Sequence, residues 1–580
     1  MCGISGLIRL NGEPIDKSLL EAMTDVIAYR GPDDFGYFTD NNIGLGHRRL
    51  SILDLSAAGH QPMSRQHVHL TYNGEIYNYV ELRTELKALG HQFTTSTDTE
   101  VIIASYLQWD VGCFERFNGM WSLAIYDKAK AQVICSRDRF GIKPFCYTST
   151  PTYFAFGSES KQLLKIEDLD KSLDLKVVHN YLHNSYLNTS EDTFLKHVKE
   201  LRGGHYLTLD LDSKNYTIKK WYQLPLKPER NKSYAEVTKA FKETFKTSVA
   251  LRMRSDVTVG SCLSGGLDSS AIVCMVNDAE LNNDLFKTIS SCYADKESDE
   301  QEFIDVVSQQ TKFEAIKIFP DLNRLISENI WDKIIYHQDQ PIISFSHFSE
   351  FAVFEAAAKN KIIVMLDGQG SDEYLAGYTE FIGAHMRGLL KKFKLFAYLK
   401  FLYQRSKLLQ IPFLKLLKHR VLTDLKTTSD TRQNIKPFFT KAFLKSSNAT
   451  RFKPESISEL SLLQLEKVSI PFQLHSEDRN SMMHSIESRL PFLDVNLVEL
   501  AINLPESYKL RNGETKAVLR SGLKDILPEK IANRQDKKGF PAPDVELFNN
   551  NSNLMVEELE SAIKNNPTIF TNELVISFKK

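Results

Sequence analysis

A cysteine at position 2, in the opening MCGISG, is placed for chemistry. Once the initiator methionine is removed, the thiol stands beside its own free α-amine, whose ordinary pKa of about 7.7–8.0 lets it take the thiol proton near neutral pH. Cys2 is then a self-activated nucleophile for acyl transfer. A second chemical stretch, CLSGGLDSS (262–270), follows an apolar run and opens the helical sequence SAIVCMVNDAE. Its glycines let backbone approach a ligand, and the helix amino terminus with the hydroxyls of Ser264, Ser269 and Ser270 offers donors to phosphate. The Walker pattern GxxxxGK(S/T) is absent, which excludes that class of nucleotide loop. Asp268 here and Asp372 in DGQGSDEYLAGY (367–378) supply carboxylate oxygens of the kind a hard cation such as magnesium takes, and Asp372 also reads as a helix N-cap.

The elements that must hold these residues follow two rhythms. Up to about residue 205, short β runs such as HLTYNGEIYN (69–78), WSLAIYD (121–127) and QVICSRD (132–138) point to a layered α+β domain. From about 236, the strand-like stretches VTVGSCL (257–263), KTISSCYA (287–294), FEAIKIF (313–319) and KIIVML (361–366) alternate with helical ones, the pattern of a parallel sheet with helices on its faces. The stretch 201–233 is rich in charge, Gly and Pro, so 206–235 reads as the linker, and helical periodicity dominates 380–540. A chain of 580 residues is too long for one core, so two domains, 1–205 and 236–580, are expected. The net charge of -1 names no partner, and nothing in the composition points to a nucleic-acid-binding chain. Seven scattered cysteines without a CxxC pair fit a reducing compartment. Without a signal-like start or a long apolar run, the cytoplasm is the expected location.

Around Cys2 the first third carries YRGPDDFG (29–36), GHRRLSILD (46–54), QPM (61–63), YNGEIYN (72–78) and STDTEVI (96–102). Taken singly, Arg49 and Asp98 read as surface ion-pair residues and Asn73–Gly74 as a hairpin turn. Together, and in this order, they resemble the class II glutamine amidotransferase domain, an N-terminal nucleophile hydrolase-like sandwich. The resemblance implies that Cys2 attacks the side-chain amide of glutamine while Asn73 and the Gly74 N–H hold the oxyanion. It also implies that Arg49 clamps the substrate carboxylate and that Asp98, helped by Glu75, receives its ammonium.

The 262–270 loop resembles the SGGxDS loop of the ATP pyrophosphatases. That implies ATP on Leu263, Ser264, Gly265, Gly266, Asp268, Ser269 and Ser270, adenine near Cys292 and Tyr293, Asp367 and Gly368 alongside, and magnesium on Asp268 and Asp372. With QLHSEDRNSMMHSIESRLPFLD (473–494), NGETKAVLR (512–520) and RQDKKGFPAP (534–543), the likeness extends over nearly the whole chain to the glutamine-hydrolysing asparagine synthetases. By that resemblance Lys516 steadies charge on the adenylate, while Gln369, Tyr378, Asp478, Arg479, Glu487 and Arg489 shape the acceptor site. Each of these charges otherwise reads as part of a solvated helix face. The implied reaction joins aspartate, ATP and glutamine to give asparagine, AMP, pyrophosphate and glutamate. Ammonia in neutral water is almost all ammonium, so internal conduction between the two sites is expected.

Two features depart from the family. Its motif SGEGSDE is here DGQGSDE, and Gln369 cannot carry the negative charge of a glutamate. That keeps open an amidotransferase acting on another carboxylate, such as a uronic acid sugar in surface-polysaccharide assembly. A weakened glutamine-sensing protein is a third reading, against which Cys2, the 264–270 loop and Lys516 argue. The second departure is 381–423, which holds no Asp or Glu while Lys and Arg interleave with large apolar residues. A helical insertion packed on the second domain is the favoured reading of it, and a membrane-surface or acidic-partner site the other. Oligomeric state stays open, with a homodimer among the options.

Overall fold

The computed structural model of the protein describes residues 2–229, 231–281, 286–294, 299–425, 435–446, 452, 454, 456–536 and 551–579. Two six-stranded sheets form the first half. In one, strand Gly3–Arg9 runs antiparallel between Ile43–Arg49 and Tyr153–Gly157. In the other, Val68–Ile76 pairs antiparallel with Gly119–Asp127, which pairs with Gln132–Arg137. Side chains alternate across a strand, so Ile4 and Ile8 enter the core between the sheets with Ala124, Tyr126 and Leu207, while Leu7 faces outward to Leu20 and Met23 of helix Lys17–Asp25. Helices Tyr79–Ala88 and Asp98–Trp109 cover the second sheet, completing a four-layer sandwich.

The segment expected as a linker is partly structural. Strand His205–Asp210 pairs with Gln132–Arg137, and Tyr216–Lys220 forms the sheet edge beyond it. The alternating HYLTLDL was masked by the charges around it, and the linker shortens to the residues after 220.

The second half holds a five-stranded, wholly parallel sheet in the order Glu314–Ile318, Lys287–Ser291, Val259–Cys262, Val364–Leu366, Glu487–Arg489. The chain enters at the central strand, winds to one edge, then returns to the other side. The loops after Val259–Cys262 and Val364–Leu366 therefore diverge, opening the crevice where such sheets bind ligands. Helices Tyr234–Arg252, Leu267–Asp278 and Ser346–Lys359 bury the sheet's faces. The insertion forms helices Thr379–Lys391, Leu395–Leu408 and Phe413–Leu425. Phe381, Tyr398, Phe401 and Leu402 pack against Ile457, Leu460 and Leu510, as the favoured reading expected. Among the described residues no helix is long and apolar enough to cross a membrane.

Candidate active sites

Cys2 lies at the start of a central strand and is 8% exposed. Its backbone N–H donates to Asn73 Oδ1 at 3.0 Å, and its Sγ lies 3.9 Å from the Leu50 carbonyl. Asn73 Nδ2 is buried without a hydrogen-bond partner among the described residues, an unfilled donor beside the thiol's own strand. A Cβ at Gly74 would lie 2.0 Å from the Met120 carbonyl, so only glycine lets the chain pass here. Burial pushes the Cys2 thiol above its ordinary range, against the pull of the Leu50 contact and of Arg49.

The Arg49 guanidinium is fixed by the carbonyls of Ser56, Leu53 and Asp54, and Gly59 packs so close that a Cβ would clash with it. These partners are neutral, so its charge is left for an incoming carboxylate. Asp98 accepts from Tyr72 Oη at 2.8 Å and the Ile76 N–H at 2.9 Å; burial raises it to about 6 despite them. Burial, then the charges of Asp98 and Glu487, push Glu75 up.

Glu75 also meets Arg489 across the two halves at 3.5 Å. Arg489 in turn bonds Glu487 at 2.6 Å. Arg30 donates through Nε to the Cys2 carbonyl at 3.1 Å and through both terminal nitrogens to Asp478. Arg479 pairs with Asp478 and reaches Glu159. Asp478, Arg479, Glu487 and Arg489 therefore belong to a buried seam between the halves and do not line the cavity in the second half, apart from Gln369 and Tyr378 with which they were grouped. Helix Ile470–Met482 turns Asp478 and Arg479 toward the first domain and strand Glu487–Arg489 carries the other two, an orientation the motif spacing did not reveal.

The crevice holds a cavity of about 640 Å³. Leu263, Ser264, Gly266, Asp268 and Ser269 line it, as do Asp367, Gly368, Gln369, Asp372, Tyr378 and Lys516. Ser264 Oγ and Ser269 Oγ are 3.1 Å apart, and Gly265 takes φ +71° beneath Phe303. Ser270 Oγ is buried and lacks a hydrogen bond among the described residues. Cys292 and Tyr293 do not reach the lining: Cys292 is fully buried in the core, and the Tyr293 hydroxyl bonds Ser349. Ser291, one residue earlier, takes that wall because neighbours on a strand point to opposite faces.

Lys516 Nζ sits 2.5 Å from Asp268 Oδ2, 2.7 Å from Asp372 Oδ1 and 2.9 Å from Ser371 Oγ. Burial opposes its charge, but the two carboxylates win and raise its pKa. Tyr378 donates to Glu373 at 2.7 Å and accepts from Gln473 at 3.0 Å. Three lining cations escaped the sequence reading: Arg405, Arg520 and Arg534. Nothing marked Arg405 among the insertion's solvated lysines. Arg534 opens the RQDKKGFPAP motif, of which 537–543 lie outside the described residues.

Behind Asp367 stands a second unforeseen group. Glu350 accepts from Asn480 at 2.5 Å and from Ser476 at 3.3 Å; burial, with the charge of Asp367, raises it to about 7. Glu477 is likewise raised, by burial and then by Asp367 and Glu350. Three carboxyl groups thus share one buried pocket at the cavity wall.

A buried thiol in the first half and a loop-lined crevice in the second have the plan of an amidotransferase fused to an ATP-using domain. Sequence comparison agrees: the glutamine amidotransferase domain family matches residues 1–222, and the asparagine synthase family matches residues 240–574. The chain belongs to the asparagine synthase family. It is 31% identical to glutamine-hydrolysing asparagine synthetase 1 of Bacillus subtilis, over 96% of this chain and 90% of that one. Asparagine synthetase 3 of the same organism is 29% identical over 93% and 87%, and asparagine synthetase 2 is 27% identical over 94% and 72%.

Proposed function

We propose that the protein is a glutamine-dependent asparagine synthetase, which activates aspartate with ATP and amidates it with ammonia released at Cys2. The observation that carries this reading is the cation–carboxylate triad of Lys516, Asp268 and Asp372 beside the 264–270 loop, in the same chain as Cys2 and Asn73. The Cys2 thiol gives its proton to the α-amine and attacks the glutamine amide, Asn73 Nδ2 meets the oxyanion, the proton leaves with the nitrogen as ammonia, and water hydrolyses the glutamyl thioester to glutamate and free thiol. In the crevice the aspartate carboxylate displaces pyrophosphate from ATP to form an acyl adenylate. Lys516, Arg520 and Arg534 offset the phosphate charge.

Asp268 and Asp372 converge on one cationic group, and Asp268 Oδ1 is buried without a hydrogen bond, so the pair fits a magnesium ion. Bound there, it would neutralise the pyrophosphate. Ammonia attacks the adenylate, AMP departs, and nitrogen must lose a proton. Gln369 has no acid–base chemistry, whereas Asp367 lines the cavity with Glu350 and Glu477 behind it. We assign the proton to this carboxyl group.

The test supplies glutamine, ATP and magnesium with aspartate or a panel of other carboxylates, and measures AMP, pyrophosphate and amide. Asparagine formed one-to-one with AMP supports the reading. Turnover only with another acid refutes aspartate as acceptor, and glutamate release without AMP refutes the synthetase.

A further inference from the structure

The helical insertion has two faces, and only one is used by the fold. Tyr398, Phe401 and Leu402 of helix Leu395–Leu408 are buried against the domain. On the same helix Phe396, Leu399 and Tyr403 follow the i, i+3, i+7 spacing of a second stripe, 82%, 38% and 52% exposed. Leu395, 58% exposed, borders it, and Phe393 at the preceding turn is 95% exposed. That turn is held by the Phe393 and Lys394 N–H groups donating to Leu390 and Leu389, and Phe393 takes the left-handed φ of +52°. The backbone thus fixes an aromatic ring outward at the apex of two helices.

Charge follows the same surface. Lys391, Lys392 and Lys394 surround Phe393, and Lys400 and Lys407 flank the stripe one turn beyond Phe396 and Tyr403; all are exposed. From 381 to 423 there is no acid, in a chain whose net charge is -1. Apolar tips ringed by long cationic side chains suit an interface where rings enter the acyl boundary and ammonium groups stay with headgroups.

We propose that this corner docks the protein on an anionic lipid bilayer, with Phe393, Leu395 and Phe396 entering the surface and the lysines meeting the headgroups. A convex apex of separate rings fits a deformable bilayer better than the shaped pocket of a protein partner. The docking is peripheral and leaves both reaction sites free, because none of these residues lines the crevice.

The full-length protein is floated with vesicles of phosphatidylcholine alone, or of equal parts phosphatidylcholine and phosphatidylglycerol. Recovery with the anionic vesicles alone is expected, with release by high salt. The double variant Phe393→Ser/Phe396→Ser should lose about tenfold or more in bound fraction while keeping ATP-dependent amidation. Charge reversal at Lys391, Lys392 and Lys394 should do the same, which guards against a variant that fails to fold. Three results would overturn the proposal: intact protein that stays unbound on anionic vesicles, binding unchanged in both variants, or displacement of vesicles by soluble polyglutamate at matched ionic strength. The last would assign the surface to an acidic protein.

Discussion

Arg30 and Asp478 come from opposite halves of the chain and meet in a two-point ion pair at 2.9 and 3.1 Å, while Arg30 Nε holds the Cys2 carbonyl. Both partners are buried. The helix that carries Asp478 also carries Phe472 and Gln473, which line the crevice, and Ser476, which donates to Glu350. The backbone of the nucleophile is thus joined through one helix to the wall of the second site.

Weakening that joint should uncouple the sites. Asp478→Asn leaves part of the Arg30 charge uncompensated, at a cost of at most about 3–5 kcal/mol because Glu159 still contacts it. Glutamate released per amide formed is expected to rise above one, with a lower thermal midpoint. A one-to-one ratio in a correctly folded variant would show that the pair only holds the halves together.

Cys2→Ala removes the nucleophile and should abolish glutamine use, while ammonium salts at alkaline pH still support amide and AMP formation. The two sites share no catalytic residue, so the expected ammonia-dependent rate is within about twofold of the intact protein. Loss of both activities would contradict the division of labour.

Gly377 reports on the Lys516 triad. A Cβ there would fall 1.7 Å from Asp372 Oδ1 and 2.4 Å from Lys516 Cε. Gly377→Ala should cut AMP formation by about a hundredfold, since displacements near 1 Å have that effect on a positioned group. Glutaminase activity should be spared. Gly388→Ala is the control, because nothing lies within 4 Å of its Cβ position. Equal rates for both variants would show that the triad tolerates displacement.

Local signals made much of this legible. The strand–loop–helix at 259–278 and the strand-like stretches around 287–291 and 364–366 marked the parallel sheet, because strands alternating with helices are the pattern of that architecture. Cys2, Asn73, Asp268 and Lys516 stood out by residue type within motifs. Orientation was not legible. Ser476 and Asp478 are two residues apart on one helix yet face different sites, and Cys292 and Ser291 divide between core and cavity. Glu350 carried no motif, and its partners Asp367 and Glu477 are distant in sequence, so only the folded chain assembles the acid pocket.

That pocket should leave a pH signature. Burial beside Asp367 raises the Glu350 carboxyl from its ordinary 4.5 to about 7. In the unfolded chain it ionises near 4.5, so the folded state carries no penalty below that pH, a growing one as pH rises from 4.5 to 7, and the full penalty above 7. Glu350→Gln keeps an oxygen to accept from Asn480 and Ser476 but removes the charge. Relative to the intact protein, its thermal midpoint should therefore be higher at pH 8 than at pH 5, with the gap opening between those values. If the pocket also takes the proton from nitrogen, the same variant should form amide more slowly while still making pyrophosphate from ATP. A midpoint difference that is the same at pH 5 and pH 8 would show that Glu350 is not held protonated. Unchanged amide formation would remove the pocket from the reaction.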